Sequence, residues 1–104
     1  MLRRGRFREL VDTQLDLFAT DEEALLREAE EVDAVWTNAD RDETEELYGD
    51  YQLVVDAIGE RLYDIREAYA GTLEEDAAED YRGAFDAAAR KRFPRFAAFL
   101  EDEE

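Results

Sequence analysis

The chain has no cysteine and no histidine, and only one proline and one lysine. Each shortage removes a class of chemistry. Without cysteine there is no disulfide, no thiolate zinc site and no thiol nucleophile. Without histidine the commonest metal ligand and general base is missing, and so are the Glu-x-x-His pairs of ferritin-like di-metal centres. No apolar run approaches the roughly 20 residues that span a bilayer. The stretch Met1–Arg8 opens like the basic region of a secretion signal, but Glu9, Asp12 and Asp16 interrupt any apolar segment behind it. The expectation is a protein of the cytoplasm with no membrane span.

Lysine is scarce although charge is abundant. Thirty acidic residues face thirteen basic ones, Lys91 being the lone lysine, for a formal net charge of −17 on 104 residues. Residues 9–89 hold 26 acids and 5 arginines, a net of 5 − 26 = −21, while residues 1–8 carry +4. Two like charges 10 Å apart in water repel by about 0.4 kcal/mol, and 0.1 M salt leaves about a third of that. Summed over many pairs, the repulsion rivals the roughly 5 to 15 kcal/mol that holds a small domain together. At molar salt the screening length falls to about 3 Å and the term fades. A GC-rich genome would explain arginine in place of lysine, but not the excess of acids. The charge balance therefore points to halophilic adaptation.

A single proline, few β-branched residues and plentiful Ala, Leu, Glu and Arg favour helix. The apolar spacing predicts helices over about residues 2–18, 21–39, 43–70, 73–92 and 95–101. The strongest pattern is Leu47, Tyr51, Val54, Ile58, Leu62, Ile65 and Tyr69, which keep one helical face. Thr20 with Glu23, Asp40 with Glu43, and Thr72 with Glu75 have the spacing of reciprocal N-terminal caps. Gly71 is placed where a left-handed residue would end a helix, and Gly49 where the long helix would break. The predicted fold is all-α: one domain, a small antiparallel bundle of three or four main helices plus a short C-terminal helix, with sequential helices side by side.

Carboxylates are so frequent that helical position is a better guide than spacing. Glu28 and Glu31 fall on one flank of the second helix's apolar stripe, and Glu46 and Asp50 on one edge of the third's. If those flanks face each other, four carboxylates converge on a site suited to Mg²⁺ or Mn²⁺. Here the chain resembles the all-α nucleoside triphosphate pyrophosphatases, the family of MazG and the dimeric dUTPases. Glu28-Ala-Glu-Glu31 matches that family's first Glu-x-x-Glu pair, while Glu46-Leu-Tyr-Gly-Asp50 has one residue more than its Glu-x-x-Asp pair. The resemblance implies a Mg²⁺-dependent enzyme using Glu28, Glu31, Glu46 and Asp50, and it is the alternative reading. On the main reading these acids are a solvated flank and no cofactor is needed.

Arg3, Arg4, Arg6 and Arg8 around Phe7, with Arg90, Lys91, Arg92 and Arg95 around Phe93, could join into one positive patch. Neutralisation of neighbouring acids is the preferred reading, because a body of charge −21 repels a nucleic acid. Mimicry of a nucleic-acid backbone by the acidic surface is a third, weaker idea. Leu53 and Tyr63 point well away from the core stripe of the long helix, so either the fourth helix or a second subunit must cover them. The residues thus favour a non-catalytic interaction or regulatory module, with a protein partner or itself as a homodimer, and no nucleic acid.

Overall fold

In the computed structural model the chain does not reverse at Asp21-Glu22-Glu23. The structure describes residues 5–38 and 41–94, with the side chains of residues 36–47 outside that description. Four α-helices follow one another: α1 (Arg8–Asp21), α2 (Glu23–Asn38), α3 (Arg41–Ala70) and α4 (Glu75–Arg92). The described residues contain no strand, and the fold is an all-α helical bundle. Among them, no helix is long and apolar enough to cross a membrane. The expected helix over 95–101 and the Asp40–Glu43 cap lie outside the described residues.

Side-chain pairs give the directions. Arg66 meets Asp86 and Glu67 meets Arg82, so α3 and α4 run antiparallel. Phe7 packs edge-on against Tyr81 at 5.5 Å and Phe18 against Phe93 at 5.4 Å, so α1 runs parallel to α4. It follows that α1 is antiparallel to α3, and α2 is too, as the first arm of a hairpin with it. The expectation that sequential helices lie side by side therefore fails at the first joint. α1 and α2 run in the same direction along α3, separated by Glu22 alone, and Arg61, about two-thirds of the way along α3, approaches Glu22 at 3.9 Å.

Backbone bonds explain that joint. Glu22 N–H donates to the Phe18 carbonyl and Leu26 N–H to the Glu22 carbonyl, so helical bonding continues through the bend. The Thr20 hydroxyl donates back to the Asp16 carbonyl at 3.1 Å and does not cap α2. At the other turn, the Thr72 hydroxyl donates to the Tyr69 carbonyl at 2.7 Å, serving the end of α3; Glu74 is the N-cap of α4. Gly71 does not take the expected left-handed conformation; its N–H closes on the Glu67 carbonyl at 3.0 Å. Gly49 does not break α3, which stays helical for 30 residues.

These directions divide the molecule into two ends. At one, α1, α4 and the second half of α3 form a three-helix body whose centre is Val11, Leu15, Ile58, Leu62, Tyr81 and Phe85, all fully buried. Burying each such side chain is worth about 1.5–3 kcal/mol. At the other, α2 and the first half of α3 form a two-helix arm. There, Ala29 and Val54 are the buried apolar residues among those described.

Candidate functional site

Of the four acids singled out as metal ligands, the structure describes three side chains. Glu28 and Glu31 are exposed on α2 and Asp50 is exposed on α3, while the Glu46 side chain lies outside the description. Among the described residues, no group of three or more acids is placed to hold a metal ion. Helical position put each of these residues at the edge of an apolar stripe. Convergence needs a particular rotation of each helix about its axis, which spacing does not give.

The basic ends are engaged locally where they are described. Arg92 bonds Asp16 at 2.9 Å and the Asp12 carbonyl at 3.4 Å, and its guanidinium lies 5.6 Å over the Phe93 ring. Arg6 sits 5.1 Å over the Phe7 ring. Arg90, Lys91 and Arg92 also occupy the last turn of α4, where cations oppose the helix dipole. Between α1 and α4 runs an open groove of about 1020 Å³, floored by Val11, Ala84 and Ala88 and bordered by Arg8, Arg90 and Lys91, with Asp12, Glu79 and Asp80 interspersed. Three cations and three acids leave that groove without a dominant sign.

The densest polar constellation joins α3 to α4, and sequence reasoning missed it. Arg66, buried, donates from Nη1 to both Asp86 oxygens at 2.9 and 3.1 Å and from Nε to Glu67 at 2.8 Å. Arg82 grips Glu67 through two bonds of 2.9 and 2.8 Å. Burial opposes the charge on Arg66, but its bonds to Asp86 and Glu67 outweigh that, and the guanidinium is held more basic than usual. The bonds from Arg82, with a smaller contribution from Arg66, keep the Glu67 carboxyl below its ordinary range. Nearby, burial pushes the Tyr81 hydroxyl up to about 12, while it donates to Gln14 at 2.7 Å. The Arg66–Asp86 and Arg82–Glu67 bonds clasp α3 to α4. A signal was present: Arg66 falls one turn after Leu62 on the face that meets α4.

The two residues expected to need covering part company. Tyr63 is half-buried against the core, with the Arg66 guanidinium 5.1 Å over its ring. Leu53 remains 70 % exposed. It shares the arm with Val35 and Tyr48, 53 % and 49 % exposed, and with the half-buried Leu25, Leu26, Val32, Tyr51 and Val55. Three of the four exposed large apolar side chains among the described residues thus lie on the arm, and the fourth, Leu17, lies on α1. No protein-family model, no curated protein and no solved structure matches the chain.

Proposed function

We propose that the chain is a non-catalytic helical interaction module of a high-salt cytoplasm, and that it receives a protein partner or a second copy of itself on the two-helix arm. One observation carries the reading: of the four large apolar side chains that stand exposed among the described residues, Val35, Tyr48 and Leu53 lie on the arm and Leu17 alone on the body. Large exposed side chains gathered in one part of a small protein are what a docking surface requires. The acidic surface fits the same setting, since at molar salt it keeps the protein hydrated without the repulsion it would suffer in dilute buffer.

A photo-crosslinking residue placed singly at Val35, at Leu53 and, for comparison, at Ala87 on the body tests this in cells of the native host. Protein adducts at the two arm positions and few at Ala87 are expected. Equal labelling of arm and body would overturn the arm as the working surface. Release of pyrophosphate from nucleoside triphosphates by the purified chain with Mg²⁺ or Mn²⁺ would overturn the non-catalytic reading in favour of the carboxylate enzyme.

A further inference from the structure

We infer that the two-helix arm is a salt-gated segment of the fold: in brine it is ordered on the three-helix body, and in dilute solution it unfolds as one unit while the body stays folded. The inference concerns the chain alone and holds whether or not the arm receives a partner. Its boundary lies at one level of the molecule. α1 ends at Asp21, and Glu22, with φ −109° and ψ 29°, departs from helical geometry. Arg61 approaches Glu22 at 3.9 Å, which sets the end of α1 beside that part of α3. Because α3 and α4 are antiparallel and Arg66 meets Asp86, Arg92 at the end of α4, six residues past Asp86, is level with about residue 60. α3 crosses this level as unbroken helix, and there it carries Gly59, a weaker helix former than alanine.

Burial differs on the two sides. Val11, Leu15, Ile58, Leu62, Tyr81 and Phe85 in the body are fully buried, whereas residues 23–35 and 48–57, the part of the arm whose side chains are described, bury only Ala29 and Val54. A helix of 16 residues such as α2 is marginal in water by itself, so its order depends on the face it packs. The body is also tied across its helices by Arg66–Asp86, Arg82–Glu67 and Arg92–Asp16, while Arg27 on the arm pairs with Glu23 of its own helix.

Charge falls on the less buried side. Residues 23–57 hold 12 acids and 2 arginines, a net of 2 − 12 = −10, while body residues 5–22 and 58–94 hold 14 acids and 8 basic residues, a net of 8 − 14 = −6 on a longer stretch of chain. At about 0.1 M salt the screening length of about 10 Å matches the roughly 8–10 Å between packed helix axes, so charges on α2 act on those of α3. At about 3 M it is less than about 3 Å, and that repulsion is gone. Proteins open first in the contiguous unit that has least holding it, often a supersecondary motif, and the α2–α3 hairpin is that unit here.

Hydrogen exchange of the full chain, followed by mass spectrometry at about 0.1 M and about 3 M KCl, tests the gate. Low protein concentration holds an associating chain apart. At low salt the amides of residues 23–38 and 41–57 should exchange within about tenfold of an unstructured peptide, and those of 75–92 at least about a hundredfold more slowly. At high salt the two sets should agree within about tenfold, arm and body then opening together. Glu28→Gln with Glu31→Gln and Asp50→Asn, all exposed on the arm, should raise the arm's protection at low salt by at least about tenfold, a gain that misfolding cannot imitate. Asp12→Asn with Asp64→Asn and Glu79→Gln, exposed on the body, should leave the arm unprotected there. Loss of protection in arm and body together at low salt overturns the inference. So does an arm protected at both salts or at neither, or one restored equally by the two triple variants.

Discussion

Arg66 has exchanged water for two carboxylates, and the exchange is favourable only while both remain. Asp86 carries most of it, since it is itself buried and accepts two bonds from one guanidinium nitrogen. Asp86→Asn keeps the shape and removes the charge, leaving Arg66 with Glu67 alone on a half-exposed edge. Breaking a buried pair in this way typically costs about 3–5 kcal/mol, a large part of a small domain's stability. Replacing both partners, Arg66→Met with Asp86→Leu, removes the desolvation penalty as well as the attraction and should fall within about 1 kcal/mol of the parent or above it. Urea unfolding at fixed high salt compares the three proteins. A double variant as damaged as Asp86→Asn would mean that the pair contributes net stability beyond compensating its own burial.

The helices themselves were largely legible in the residues, because a stripe such as Val54, Ile58 and Leu62 reports its own burial. The ends of α3 and α4 at Ala70 and Arg92 match the expectation, with Arg90, Lys91 and Arg92 closing the last turn. What the residues misreported were devices with two equally good local uses. The hydroxyls of Thr20 and Thr72 can cap the helix ahead or bond the turn behind, and both take the second option. The direction of α2 relative to α1 and the Arg66–Asp86 clasp depend on partners far away in the chain, which no local pattern encodes. Convergence of Glu28, Glu31, Glu46 and Asp50 likewise depends on helix rotations that no local pattern encodes. Gly49 shows the balance at its simplest: its cost was visible, but 30 residues of helix absorb it. A Cβ there would meet nothing within 4 Å. Gly49→Ala should therefore stabilise the protein by up to about 1 kcal/mol, raising the thermal midpoint by about 4–8 °C per kcal/mol for a domain of this size. An unchanged midpoint would indicate that the N-terminal part of α3 melts apart from the body.

For the molecule as a whole, charge decides the conditions under which the helices stay together. The net −17 is spread unevenly, with −10 on an arm that has a single packed side and so has least burial to set against repulsion. Raising KCl from about 0.1 to about 3 M screens that repulsion almost completely, so the thermal midpoint should climb steeply. A rise alone would be ambiguous, because concentrated salts can also strengthen apolar burial. The two causes separate on a variant in which the exposed Glu28, Glu31, Asp50, Asp56 and Glu60 become their amides, removing five charges without touching the core. If screening is the cause, this variant gains its stability at low salt and the slope of midpoint against KCl flattens. If apolar burial is the cause, both proteins keep the same slope. The comparison belongs at low protein concentration, where mass action holds an associating chain apart and the slope reports on folding. Equal slopes would remove the physical basis for reading the acidic surface as an adaptation to brine.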